Sequence, residues 1–292
     1  MKNIRGYIEH IRESELESQL VKELIEAVIN GDFNVCKDLI RAGANVNAVN
    51  STGRTPLHWA VSEGNTAIAK LLIDAGADLD IRTKADWPLL NYPASQGRIS
   101  MTKLLIDAGA DVNAWDGSGW TPLIWCAIKN NVDIAKLLID AGADVNLVKE
   151  SNYSPLNWAI KNGHQDIAKL LINAGAKLDV KDDNGWTLLH KAIHDGNIEI
   201  IKLLINAGAK LDVKDDNGWS PLRLAVSDRV IDDQRTIAKL LILAGADIKS
   251  HFKTFKEFSD FFKDNIKWVP IDFIPPEWRD SAKFTGTFGG FY

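Results

Sequence analysis

Glycines recur every 33 residues along most of this chain, at Gly43, Gly76, Gly109, Gly142, Gly175 and Gly208, with Gly245 following after a slightly longer interval. Most of them end a segment of the form L-L-I-x-A-G-A. A fixed period of this length constrains the fold more than any other feature. Each unit is one supersecondary element too small to bury its own apolar side, so it must stack on its neighbours.

The unit from Asn50 to Arg82 shows the physics. Thr55 can accept a backbone N–H as a helix cap, and Pro56 suits the first helical position, where a missing N–H costs nothing. Leu57, Ala60 and Val61 give this helix an apolar stripe, and Gly64 ends it. Ile68, Leu71 and Leu72 make the stripe of a second helix, which Gly76 stops before an extended Ala77 to Arg82 leads into the next copy. Helices this short do not persist alone in water.

The run Thr55-Pro56-Leu57-His58-Trp59-Ala60, echoed at Thr121-Pro122-Leu123 and Ser154-Pro155-Leu156, resembles the signature of ankyrin repeats, and the resemblance extends from about Glu17 to Lys249. It implies an all-α solenoid: a curved stack of helix pairs with β-hairpin fingers on one side and inner helices forming a palm. It also implies that the chain binds another protein in the concave groove and does no chemistry. Residues 1–16 are then expected to be an N-terminal capping segment, 17–249 about seven repeats of which the first is a capping repeat, and 250–292 a Phe-rich cap or tail.

Four departures from the pattern carry expectations of their own. Trp87-Pro88-Leu89-Leu90 replaces T-P-L-H, and Pro93 falls where a helical Ala belongs, so this inner helix should be kinked or begin late. Asn130 stands in for a helix-ending Gly and tolerates the same left-handed backbone. The extra residues around Asp228 to Arg235 should lengthen the first helix of the last copy or the loop after it. Ala176 to Trp186 recurs identically at Ala209 to Trp219, the mark of a recent duplication.

At the N-terminal end Ser14 and Glu17 form a candidate capping box ahead of the stripe Leu20, Leu24, Ala27 and Val28. At the other end Phe252, Phe255, Phe258 and Phe262 trace an amphipathic helix expected to cap the stack, and Trp268 to Trp278 should run extended because of its prolines.

Composition narrows the function. With 46% hydrophobic and 25% charged residues the chain is not disordered, and a net charge of -5 supplies no broad positive field for nucleic acid. A partner protein with basic or mixed-charge and apolar surface suits it better, and the chain by itself reads as a monomer. Cys36 and Cys126 fall at apolar helix positions without ligand-like spacing, which suggests buried thiols in a reducing compartment. No stretch is long and apolar enough to span a bilayer, so the location is read as the cytosol, its own or that of a host into which it is delivered.

The residue just before the T-P-L-H position runs Arg54, Trp87, Trp120, Tyr153, Trp186 and Trp219. In ankyrin proteins that position faces the groove, and Trp and Tyr are the types most enriched in binding hot spots. With Asp183 and Asp216, acidic residues beside the finger tips suited to a basic partner surface, these residues form the candidate partner-binding set. Asp182, Asp215 and Glu150 read chiefly as turn residues, and Trp59, Tyr92, Trp125 and Trp158, on the inner helix, as packing between repeats. His190 and His194 share a helical face, but His190 occupies the same position as His58 and no further ligand is evident, so no metal is expected. No catalytic set and no cofactor motif stands out. The leading expectation is a non-enzymatic interaction module, with an inhibitor or host-directed effector masking a partner enzyme as the alternative, its tail a separate docking motif.

Overall fold

A computed structural model describes residues 2–148, 153–227, 233–262 and 268–279. The chain divides into two compact units, Met1–Trp158 and Ala159–Tyr292. The first holds α1 (Lys2–Asn30), α2 (Phe33–Arg41), α3 (Pro56–Glu63), α4 (Thr66–Asp74), α5 (Asn91–Gln96), α6 (Ile99–Asp107), α7 (Pro122–Lys129) and α8 (Val132–Asp140). The chain passes from one unit to the next within α9 (Pro155–Lys161). The second continues with α10 (Gln165–Asn173), α11 (Leu188–His194), α12 (Ile198–Asn206), α13 (Pro221–Ala225), α14 (Gln234–Leu243), α15 (Phe255–Phe261) and α16 (Pro276–Arg279).

Each repeat is an inner helix and an outer helix, and like packs on like: α3 on α5 and α5 on α7, α4 on α6 and α6 on α8. In the second unit α11 packs on α13, and α12 on α10 and α14. The stripes predicted from the repeat form the core, with Leu57, Ala60, Val61, Ile68 and Leu72 fully buried and Leu71 half-buried at its edge. Their burial holds the units together, each large aliphatic side chain contributing about 2 kcal/mol. Gly76 shows why the period is punctuated by glycine: its φ is 87°, its N–H bonds to the Ile73 carbonyl at 2.9 Å, and the Ala77 N–H reaches Leu72 at 3.0 Å. That pair of bonds closes the outer helix in a left-handed cap.

The expected β-hairpin fingers are reduced to turns, since no strand occurs among the described residues. One Asx side chain does the work of a ladder. In the Asn50 finger the Asn50 N–H donates to the Arg54 carbonyl at 2.9 Å, while its Oδ1 accepts from the N–H groups of Thr52 and Arg54, each at 2.9 Å. Successive fingers are stitched by side-chain amides and carboxylates: Asn47 donates to the Gly76 carbonyl at 3.1 Å and accepts from the Asp78 N–H at 2.8 Å.

The interrupted repeat behaves as its prolines dictate. Relative to α3, helix α5 starts late, at Asn91, which puts Pro93 in the first turn, where no N–H is required. Asn130 takes φ 60° and ψ 35° in the glycine role. The additional residues of the last copy fall between α13, which ends at Ala225, and α14; residues 228–232 lie outside the described part.

Two expectations about the ends need correction. Ser14 does not open a helix, because α1 runs without a break from Lys2 to Asn30; this stretch rich in Glu, Lys, Leu and Ile has nothing to stop it. Trp268 to Trp278 is not extended. A 3₁₀ turn spans Ile271–Phe273, and Pro276 begins α16 as a first-turn proline rather than preventing it. Phe252, Phe258 and Phe262 are buried and Phe255 half-buried, with Phe258 packed edge-on to Phe252 at 5.3 Å and to Phe262 at 5.2 Å. Within the second unit this cluster reaches the last repeat through Arg235, which donates to the Phe261 carbonyl at 2.8 Å, and Lys239, 5.1 Å over the Trp268 ring. Leu243 stays 41% exposed.

Candidate functional site

The junction between finger and inner helix is built the same way in most copies. The Asx turn holds the column residue by both backbone groups: the Asp116 Oδ1 accepts the Trp120 N–H at 3.1 Å and the Trp120 carbonyl accepts the Asp116 N–H at 3.0 Å. Asp182 and Asp215 hold Trp186 and Trp219 in the same way. The next residue then caps the inner helix, as Thr121 does by accepting the Ile124 N–H at 3.3 Å. Arg54, Trp87, Trp120, Tyr153, Trp186 and Trp219 are all half-buried, and Asp183 and Asp216 are exposed. Glu150 lies outside the described residues.

In the first unit the two aromatic sets separated by sequence form one array. Trp87 lies 5.2 Å from Trp125 and 6.1 Å from Tyr92, Trp120 sits 4.9 Å from Trp125 and 5.2 Å from Trp158, and Tyr153 sits 5.7 Å from Trp158. Finger rings and helix rings therefore alternate, mostly edge to face, the geometry favoured by ring quadrupoles. Arg54 opens the series with its guanidinium 4.9 Å over Trp59. The Trp125 indole N–H donates to Asp116 Oδ2 at 3.0 Å, so this buried turn carboxylate also orients a ring. Sequence reasoning missed that bond, though a Trp following a finger Asp at short spacing carries the signal.

The second unit assembles its column differently. Trp186 donates its indole N–H to Asp215 Oδ2 at 3.1 Å and packs 5.1 Å from His194. Trp219 lies under the Arg223 guanidinium at 5.0 Å. Lys191 pairs with Asp182 at 3.0 Å, both side chains largely buried. Burial would raise the Asp182 carboxyl, but the Lys191 bond and the N–H groups of Trp186 and Asn184 outweigh it and hold the group below its usual range. Asp215 is likewise held low against burial, by the N–H of Trp219, the Trp186 indole and the N–H of Asn217.

The histidines are structural. The Thr55 N–H donates to His58 Nδ1 at 3.2 Å while Thr55 Oγ1 accepts the His58 N–H, a capping box in which imidazole takes the place of a carboxylate. The proton is therefore on Nε2. At His190 that Nε2–H donates to the Trp219 carbonyl at 3.0 Å, and at the equivalent Asn91 the amide donates to the Trp120 carbonyl at 3.1 Å. His58 Nε2 is buried and faces the Ile81 backbone without completing a hydrogen bond of good geometry among the described residues. An orphaned donor of this kind costs about 1–3 kcal/mol. Burial, reinforced by the nearby Arg54 charge, pushes the His58 pKa down to about 4. Burial also lowers His190. His194 pairs with Asp195 at 3.1 Å, and no group of three or more His, Cys, Asp or Glu is placed to hold a metal among the described residues. Cys36 and Cys126 are free and fully buried; burial raises both thiols, Cys36 to about 11. No helix among the described residues is long and apolar enough to cross a membrane.

Comparison with known proteins agrees with this architecture. A family model described as "Ankyrin repeats (3 copies)" matches residues 24–116, 113–182 and 174–251. None of the curated proteins matches. Solved structures match widely, 611 chains in all, so the architecture alone does not specify a partner. One is the crystal structure of the ankyrin repeat domain of Bcl-3, described as a unique member of the IkappaB protein family. It is 27% identical with a TM-score of 0.67, covering 73% of this chain and 97% of that one.

Proposed function

Since this chain belongs to the ankyrin-repeat family, a type of protein-protein interaction module, we propose that it works without catalysis, holding one protein partner against the column Arg54, Trp87, Trp120, Tyr153, Trp186 and Trp219. The observation that carries this reading is the state of the rings. All five are only half-buried, and Trp120, Trp186 and Trp219 are also anchored by their backbone at a finger junction, so they offer a large rigid surface with little entropy left to lose on binding. Asp183 and Asp216 flank the column as exposed carboxylates and favour a partner with basic as well as apolar surface. Residues 17–249 carry the surface in this reading, and residues 1–16 and 250–292 close its ends. The free buried thiols fit a reducing compartment such as the cytosol.

The test begins by capturing partners on the immobilised chain, identifying them by mass spectrometry and measuring the affinity of each directly. Trp186→Ala and Trp219→Ala are the informative variants, because neither ring belongs to the array of the first unit. Each should lose about tenfold or more in affinity with an unchanged helical circular dichroism signal. Full affinity in both variants, and in Trp120→Phe, would overturn the assignment.

A further inference from the structure

The third repeat, whose inner helix begins late, leaves a cavity of about 190 Å³ against the second. Arg54, His58, Val61 and Ser62 line it on one side, and Thr83, Ala85, Trp87, Pro88, Leu89 and Tyr92 on the other. Its origin is local. Thr83 stands where most other fingers carry Asx, and its hydroxyl reaches only the Trp87 N–H, at 3.4 Å. Asp86 takes φ 55° where most other copies have glycine, and Pro88 replaces the capping Thr or Ser. Helix α5 starts two residues later than α3 does in its own repeat, and the cavity lies beside this late start. The same change leaves His58 without the finger carbonyl that His190 finds at Trp219.

We propose that this cavity binds a single aromatic ring carrying a carboxylate close to it. Size selects the ring: an apolar cavity of about 150 Å³ holds one benzene, and this one is slightly larger, with Trp87 and Tyr92 as aromatic walls. Charge selects the carboxylate. Arg54 is the one lining residue that carries a fixed charge, no Asp or Glu lines the cavity, and among the described residues Arg54 stacks on Trp59 without an ion pair. His58 is held neutral and does not compete for the anion. The neighbouring wall is neutral and mostly apolar, so a ligand carboxylate meets Arg54 with little competition from water. Either a free arylalkanoic acid or the C-terminal aromatic residue of a peptide supplies this chemistry.

The experiment uses the full chain and small probes, and its readout is independent of any protein partner. Saturation-transfer NMR and calorimetry compare 3-phenylpropionate, N-acetyl-phenylalanine, its carboxamide, and a short peptide ending in Phe as free acid or amide. The acids should bind at about 1 mM or better and the amides about tenfold more weakly. Arg54→Gln should remove that preference, and Ala85→Trp, which fills the mouth at an exposed position, should abolish binding with an unchanged melting temperature. Equal affinity for the small acid and the peptide acid supports the free acid as source, and a peptide binding much more tightly supports the chain end. No saturation transfer from any probe, equal binding of acid and amide, or undiminished binding to a folded Ala85→Trp would overturn the proposal. Such a failure leaves the column reading standing, since that is tested on a captured protein with Trp186 and Trp219.

Discussion

In residues 1–158 the same position of each inner helix after the first carries a ring, Trp59, Tyr92, Trp125 or Trp158, whereas in the second unit it holds Lys191 and Leu224. The finger aromatics are alike in both units, so the difference isolates what the helix contributes. With a ring on the helix, finger and helix interlock into a continuous array. With Lys191 there, the neighbouring finger is tied by an ion pair to Asp182, and Trp186 turns to Asp215 and His194 instead. The histidine position differs too: His190 is satisfied by the Trp219 carbonyl and His58 is not. One repeat sequence thus supports a ring-packed junction and one built on an ion pair. The first locks the finger rings against helix rings; the second holds them with carboxylate, imidazole and guanidinium groups.

The largest expected effect is at the centre of the array. Trp125→Ala removes two ring contacts and an indole hydrogen bond, and should lower unfolding free energy by about 3 kcal/mol in denaturant titration. Trp219→Ala should cost about 1 kcal/mol. Equal losses would break the contrast between the units.

Acid comes next. His58 is neutral in the folded chain with a pKa near 4, whereas the unfolded chain titrates at its ordinary 6.5. Protons thus bind the unfolded form preferentially between these values. The stability His58 contributes is full above pH 6.5 and declines as pH falls towards 4, by about 3 kcal/mol at most. His58→Asn, the residue found at this position in Asn91 and Asn157, should flatten that part of the melting-temperature profile. Below it a second decline is due as Asp182 and Asp215, both held low, are finally protonated. A profile unchanged by His58→Asn would show that the orphaned imidazole does not set acid stability.

Lys191→Met sharpens the comparison from the other unit. It leaves Asp182 with its backbone donors and should cost about 1–2 kcal/mol by thermal unfolding. A much larger loss would make the ion pair, not the Asx turn, the support of that finger. The smallest effect is electrostatic: Asp183→Asn with Asp216→Asn should leave stability unchanged and slow association with a captured partner by about threefold at low salt, the difference vanishing at high salt.

Much of the fold is legible because its signals are local and repeated. Pro56 beside Thr55 marks where a helix begins, Gly76 where one ends, and Ile68 with Leu72 which face is buried, and each of these recurs at one period. Asn130 in a left-handed cap and the late start at Pro93 follow from the same backbone rules. Errors came where one local rule competed with another. Ser14 and Glu17 have a capping spacing, but residues on both sides favour helix and the chain continues through them. Pro275 and Pro276 oppose the interior of a helix, yet a proline is welcome in the first turn, and Pro276 begins one.

The sequence by itself determined the repeat, its helices and the column of residues at each finger junction, because those depend on backbone preferences and apolar spacing within one unit. Tertiary structure alone decided what that column touches. Trp120 meets Trp125 in its own copy and Trp158 in the next, and Trp186 donates to Asp215 in the following copy. The last two pairs are about one repeat apart, and nothing in either local sequence names the other. The cavity beside His58 belongs to the same class. It lies where the inner helix of one copy begins late beside its neighbour, and a gap of that kind has volume only when the two are packed together.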